Sequence, residues 1–246
     1  MALRKIKLAV QYDGSRYHGW QIQPGKRTIQ GELVEALSNL VGARTYVHGA
    51  SRTDAGVSAL GQVALFEIDS PIPTENFADA ISDRLPPEIV VTFAEEAPPG
   101  FDLFGSVKSK LYRYTIYTGK YRPVLRLNQC WHLPKKLDIA DMNRAAQLLV
   151  GTKDFKSLAS AADRRESSVR TIFRCEVMAE DKWIYVNVEG DGFLYNMVRN
   201  IVGTLVEVGA GRWKPGKINE ILEAKNRTAA GRLAPAAGLC LMWIKY

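Results

Sequence analysis

The chain has 246 residues, of which 46% are hydrophobic, with 33 Lys and Arg against 26 Asp and Glu for a formal charge of +7. That suffices for one large or two small domains with a sizeable core, and excludes a disordered tail or a peptide dependent on disulfide or metal staples. No run approaches the ~20 apolar residues of a membrane span, and Lys7 interrupts the place of a signal peptide's apolar run, so a cytoplasmic protein without a membrane partner is expected. Cys130, Cys175 and Cys240 are odd in number and show no C-x-x-C spacing, which points to buried thiols. The positive excess favours a polyanionic partner without saying which one.

In chain order, residues 6–12 (IKLAVQY) alternate and end at Asp13-Gly14, a strand running into a turn. Thr28 is placed to cap a helix in which Ile29, Leu33, Leu37 and Val41 recur at helical spacing, and Gly42 is placed to stop it. Residues 61–68 (GQVALFEI) read as a strand, 74–84 as a short helix and 88–95 (EIVVTFAE) as a strand, with proline-rich joints between them. The second half repeats the rhythm with a strand at 111–118, a helix at 138–150 and paired strands at 171–178 and 183–189. A long helix follows, with Leu194, Met197, Val198, Ile201, Val202, Leu205 and Val208 as its apolar stripe. A shorter helix begins near Pro215, and residues 238–246 close the chain as a strand. The fold class is α+β: two similar halves, 1–105 and 106–246, with helices packed on a mixed or antiparallel sheet.

Three segments could carry chemistry. In 48–66 (HGASRTDAGVSALGQVALF), Arg52, Thr53 and Asp54 occupy a glycine-bounded loop before a strand. Asp54 is there either as an ordinary turn former or as a reactive carboxylate presented by a rigid turn, with Arg52 free to meet phosphate or fill the place of an extruded base. In 108–117 (KSKLYRYTIY), Tyr112, Tyr114 and Ile116 share one face of a strand while Leu111, Arg113 and Thr115 share the other. Such tyrosines cover a core or stack beneath a base. In 190–203 (GDGFLYNMVRNIVG), Arg199 lies roughly 140° from the centre of the helical stripe, on the side of Tyr195, Val202 and Val206. It is either solvated or a partly buried guanidinium needing an acidic partner, for which Asp54 would serve.

Two other chemistries find no support. Residues 211–217 (GRWKPGK) match part of a phosphate-binding loop, but Ile218 stands where Ser or Thr belongs and Pro215 removes a backbone donor. His18, His48 and His132 fall in no metal-ligand spacing, so no metal site is expected.

SRTDAGVSALGQVALF, YRYTIY, GFLYNMVRNIVGTLVEVG and APAAGLCL, preceded by VQYDGSRYHGWQIQP with TIQGELVEAL, resemble the tRNA pseudouridine synthase A family in order and interval over nearly the whole chain. The resemblance implies an isomerase that turns uridine into pseudouridine at positions 38, 39 and 40 of the tRNA anticodon arm, without cofactor or metal. It also implies a homodimer and two α+β halves joined in one sheet around a central basic cleft. By motif, Asp54 matches the family's essential carboxylate, Arg52 the base-displacing arginine, Tyr112 the active-site tyrosine and Arg199 the arginine paired with the carboxylate. Lys108, Lys110, Arg113, Arg164, Arg165 and Arg170 are the expected RNA-binding cations around the cleft, with Lys26 and Arg27 as further candidates. Ser51 and Ser58 depart from the Gly and His common in the family, and neither is the carboxylate. A non-catalytic RNA-binding or tRNA-chaperone module, or a synthase with another RNA target, are the alternatives.

Overall fold

The computed structural model describes residues 3–246 and has two compact units, one of residues up to Lys108 together with Cys240–Tyr246 and the other of Ser109–Leu239. In the first unit the strand β1 (Arg4–Tyr12) buries Ile6, Leu8, Val10 and Tyr12 and turns the residues between them outward. Helix α1 (Ile29–Val41) starts where the Thr28 hydroxyl accepts the Gly31 N–H at 3.2 Å, and stops at Gly42, whose φ of 72° suits a residue without Cβ. The two-residue strand β2 (His48–Gly49) leads towards β3 (Ser58–Ile68). The expected helix over 74–84 is a 3-10 turn at Thr74–Asn76 running into α2 (Phe77–Ser82), and β4 (Ile89–Glu96) follows.

Strand β1 lies between β3 and β4, antiparallel to both. Lys5 faces Glu67 across one pair and Lys7 faces Glu95 across the other, and both form ion pairs on the outward face. On the inward face Phe66 of β3 meets Phe77 of α2 edge-on with ring centroids 5.4 Å apart.

The second unit begins with β5 (Ser109–Tyr117) and continues through β6 (Trp131–His132), α3 (Ile139–Gln147) and β7 (Gly151–Asp154) to the hairpin of β8 (Val169–Glu180) and β9 (Trp183–Gly190). Strand order within the unit is β5-β9-β8-β7, all antiparallel, with β6 parallel beside β5. Leu111 and Thr115 on one face of β5 and Tyr112, Tyr114 and Ile116 on the other are all buried, so neither face of this strand is a solvent face. The edge of β8 beyond β7 is closed by α3, with Asn143 accepting the Val177 N–H at 3.0 Å and Gln147 donating to Cys175 O at 2.8 Å.

Helix α4 (Met197–Gly209) begins later than the hydrophobic pattern indicates. Asn196 takes a left-handed conformation with φ of 61°, so Leu194 and Tyr195 stand before the helix and Tyr195 does not share a helical face with Arg199. Nor does the helix carry a mere stripe: every residue of α4 except Arg199 is buried. Its buried polar groups are bonded, Asn200 to Leu158 O at 2.9 Å and Thr204 to Asn200 O at 2.7 Å. Close packing against the 231–234 segment explains Gly203, where a Cβ would fall 1.7 Å from Arg232 O. Helix α5 (Lys217–Ala224) follows, and β10 (Leu239–Lys245) pairs in parallel with β3 through Cys240 opposite Ser58 and Leu241 opposite Ala59. Among the described residues, ten strands with helices packed on them give the mixed α+β class. Cys130 and Cys175 are buried thiols, whereas Cys240, expected to be buried, is half-buried. Among the described residues no helix is long and apolar enough to cross a membrane.

Candidate active site

In the first unit the loop of residues 50–57 is held by groups far away in sequence. Ala50 N–H donates to Val63 O at 2.8 Å, and then the side chain of Gln62 takes over from the strand. Its Oε1 accepts the Ser51 N–H at 3.1 Å, and its Nε2 donates to Ser51 O at 2.6 Å and to the Tyr12 hydroxyl at 3.3 Å. Tyr12 Oη lies 2.8 Å from Thr53 Oγ1, and the Trp20 N–H donates to Thr53 O at 3.0 Å. Next, a turn closes from the Val57 N–H to Asp54 O at 3.1 Å, with Gly56 at φ of 79°. Two neighbouring glycines allow this proximity. A Cβ on Gly14 would meet Val57 O at 2.0 Å, and one on Gly19 would meet Thr53 O at 2.5 Å.

The extended backbone from Ser51 to Asp54 alternates in exposure, Ser51 and Thr53 buried, Arg52 exposed and Asp54 half-buried. A cation and a carboxylate two positions apart thus sit on one edge of a loop whose other edge is fixed in the core. Ser58, just after this loop, accepts the Gly14 N–H at 3.1 Å and so has a structural task of its own. Gln62 is fully buried with its amide spent on the loop. Replacing it by Leu removes its bonds to the Ser51 N–H and carbonyl. We expect Gln62→Leu to lose about 2–4 kcal/mol of stability in urea denaturation and to lower activity with it; an unchanged midpoint would remove Gln62 as the loop's support.

The second unit supplies the tyrosine. Tyr112 is 6% exposed and meets Phe193 edge-on at 5.3 Å. Lys110, two residues earlier on the same face, is half-buried. Burial, with a smaller contribution from the neighbouring Arg165 guanidinium, pushes its ammonium down to about 8. Between about 8 and the ordinary value of 10.5 the unfolded chain keeps a proton that the fold has released, so this group makes stability rise with pH across that window. Relative to Lys110→Met, the wild type should therefore gain stability when denatured at increasing pH through that range; parallel profiles would contradict the burial.

Arg113 lies on the opposite face of β5 from Tyr112, where its Nε donates to Asn187 Oδ1 at 2.9 Å and its guanidinium covers the Tyr185 ring at 5.4 Å. Asn187 in turn donates to Glu176 at 2.9 Å. Arg165 and Asp163 form a 2.5 Å ion pair, and Asp163 also accepts the Tyr195 N–H at 2.5 Å. Burial raises the Asp163 carboxyl, but these hydrogen bonds and the Arg165 charge outweigh it and hold it below the ordinary value. The 160–165 loop is thereby tied to the segment that leads into α4. Arg164 is exposed, and Arg170 donates to Ser167 O and Val169 O at 3.0 and 2.6 Å. Lys108, in the first unit, is exposed with its N–H bonded to Lys245 O at 2.9 Å.

Arg199, the half-buried residue of α4, donates through Nε to Ala234 O at 2.8 Å and through Nη1 to Asn196 Oδ1 at 3.0 Å. The next carbonyl, Pro235 O, accepts the Tyr114 hydroxyl at 2.7 Å. The 234–235 segment therefore links the arginine helix to the tyrosine strand within one unit. Lys217 of the phosphate-loop lookalike begins α5 and pairs with Glu220 at 2.6 Å, in a connection between two helices.

Sequence reasoning named the loop, the strand and the helix but missed Gln62, Tyr12, Trp20, Phe193 and Asp163, which hold them. Gln62 had a signal: a polar side chain in phase with Ala64, Phe66 and Ile68, the inward positions of β3. Asp163 and Phe193 act through loop contacts that no local pattern records.

A family model described as tRNA pseudouridine synthase matches residues 8–103 and 145–246. Similar curated proteins named tRNA pseudouridine synthase A come from Acetivibrio thermocellus, 43% identical over 99% of this chain and 100% of the relative, and from Ruminiclostridium cellulolyticum, 44% identical over 99% and 100%. Another, from Geobacillus kaustophilus, is 45% identical over 99% of this chain and 95% of its own.

Proposed function

The chain belongs to the tRNA pseudouridine synthase family, and from that membership we propose that Asp54, Arg52, Tyr112 and Arg199 carry out its isomerisation of uridine to pseudouridine in tRNA. The reaction breaks the bond from ribose C1′ to uracil N1, turns the detached ring and joins C1′ to C5. The proton leaves C5 and N1 ends protonated, so substrate and product are isomers and neither water nor an electron carrier is consumed.

One ionised carboxylate can begin this sequence, by attack on the base or sugar or by removal of a sugar proton. In this reading Asp54 is that carboxylate and Arg199 orients it. Tyr112 holds the face of the detached ring, and its phenol relays the C5 proton. A uridine stacked in a stem has to be turned out at a cost of a few kcal/mol, which Arg52 offsets by entering the vacated space. Lys108, Lys110, Arg164, Arg165 and Arg170 are the proposed phosphate contacts. By the same family likeness we take the substrate uridines to be those at positions 38, 39 and 40 of the anticodon arm, and the working form to be a cytoplasmic homodimer.

The observation that carries the site assignment is the loop of residues 50–57. Its backbone is fixed by Gln62, Tyr12 and Trp20, while Arg52 is exposed and Asp54 half-buried. Backbone spent on the core and side chains turned away from it is the preorganisation that a catalytic carboxylate requires. Purified protein given tRNA carrying 5-tritiated uridine should release tritium without added cofactor. Absence of release from unmodified tRNA would sink the assignment.

A further inference from the structure

Beyond the Tyr117 end of β5, the second unit carries a basic pocket that the proposed reaction does not use. It is an open depression of about 400 Å³ lined by Thr118, Lys120, Pro134, Lys135 and Lys136, three ammonium groups and a hydroxyl with no carboxylate in the lining. Its walls are built. The Thr118 N–H and hydroxyl both donate to Lys182 O, at 2.9 and 3.0 Å. The Leu133 N–H donates to Tyr117 O at 2.8 Å, and the Lys135 N–H folds back to Leu133 O at 2.7 Å around Pro134. His132 Nε2 lies 2.9 Å from Gly119 O, and a Cβ on Gly119 would fall 2.4 Å from the Tyr117 ring, so the turn before Lys120 is pressed against β5 and β6.

Aromatic rings near this end of β5 carry cations. Trp183 sits 4.4 Å from Tyr117, with the Arg126 guanidinium 4.2 Å above the Trp183 ring. Tyr121 is 76% exposed, with the Lys120 ammonium 5.3 Å from its ring centre. An open tyrosine face beside a cation is a stacking platform for a base, and lysines are point charges suited to phosphate oxygens irrespective of sequence. Tyr112 and Thr118 are six positions apart, about 20 Å along a strand, too far for both to hold one nucleotide. We propose that this pocket binds the phosphate backbone of the same tRNA at a second place, outside the arm that reacts. The pairing of ammonium groups with an exposed ring favours RNA over an acidic protein.

The inference rests on the enzyme reading for its choice of RNA, and binding measurements separate the two. The test is a Lys120→Ala, Lys135→Ala, Lys136→Ala variant, all three exposed, assayed by filter binding against full-length tRNA and its isolated anticodon stem-loop. At ~0.1 M salt, affinity for full-length tRNA should fall about tenfold and the slope of log affinity against log salt should shrink by about 2, with the stem-loop and kcat unchanged. Equal weakening for both RNAs would assign the pocket to the reacting arm, and no weakening for either would remove it as an RNA site. Polyglutamate bound through the three lysines more tightly than tRNA would assign the pocket to an acidic protein. Loss of tRNA affinity in the triple variant, with no turnover by the wild type, would keep the second site while sinking the enzyme reading.

Discussion

Asp54→Asn should reduce tRNA turnover by at least ~10⁴-fold while changing tRNA affinity only a few-fold. The substitution keeps the side chain's size and removes its charge and nucleophilicity. Ser51 and Thr53 are held by Gln62, Tyr12 and Trp20, and the turn after Asp54 closes through main-chain atoms and Gly56. The loop therefore has the means to keep its shape in the variant, and phosphate contacts elsewhere supply most of the binding. Single-turnover tritium release, alongside a thermal melt to verify folding, measures the effect. A folded Asp54→Asn protein with more than a hundredth of wild-type activity would take the reaction away from this residue.

The second large effect concerns Arg199. Arg199→Leu should lower kcat by about 10²–10³ with little change in KM for tRNA, because the group is assigned to orienting the carboxylate and not to holding RNA. Helix α4 gives the argument its weight: it buries every residue but this one, and the guanidinium is anchored to Ala234 O and Asn196 Oδ1. An arginine retained at that place costs desolvation that an aliphatic side chain would avoid, so its retention calls for a use. Leu fits the apolar surroundings, and the loss of hydrogen bonds should cost about 1–3 kcal/mol of stability, readable in urea. Arg199→Lys separates the roles, since it keeps the charge and loses the planar fork. Partial recovery of kcat with unchanged KM supports orientation; a KM increase in both variants with kcat intact would make Arg199 an RNA contact instead.

Local order was legible wherever a periodic pattern ended in a residue with a definite backbone preference. Helix α1 is framed by Thr28 and Gly42 because a hydroxyl satisfies a first-turn N–H and a glycine accepts the left-handed stop. Strands of two to four residues, β2, β6 and β7, are too short to show a period. The start of α4 differs from the apolar pattern because Leu194 continues the spacing while Asn196, two residues later, breaks the helical backbone. Alternation in β10 shows that it is a strand but carries no record of its neighbour, so its parallel pairing with β3 emerges only in the fold.

The site divides along the same line. Asp54, Arg52, Tyr112 and Arg199 stand out because polar or charged side chains occupy glycine-bounded or apolar contexts. What holds them did not stand out. Gln62 reaches the backbone of Ser51 across 11 positions, and Asp163 reaches Tyr195 across 32, distances at which no local spacing rule operates. The cations also sort differently in three dimensions: Arg113 is spent on Asn187 and Tyr185, while Lys110 shares the face of Tyr112.

Formation of pseudouridine in tRNA through Asp54 can be read most directly by mapping pseudouridine, nucleotide by nucleotide, on unmodified tRNA incubated with the wild type and with Asp54→Asn. Product is expected at anticodon-arm uridines with the wild type and none with the variant. Equal product with both proteins, or none with the wild type, would contradict that expectation.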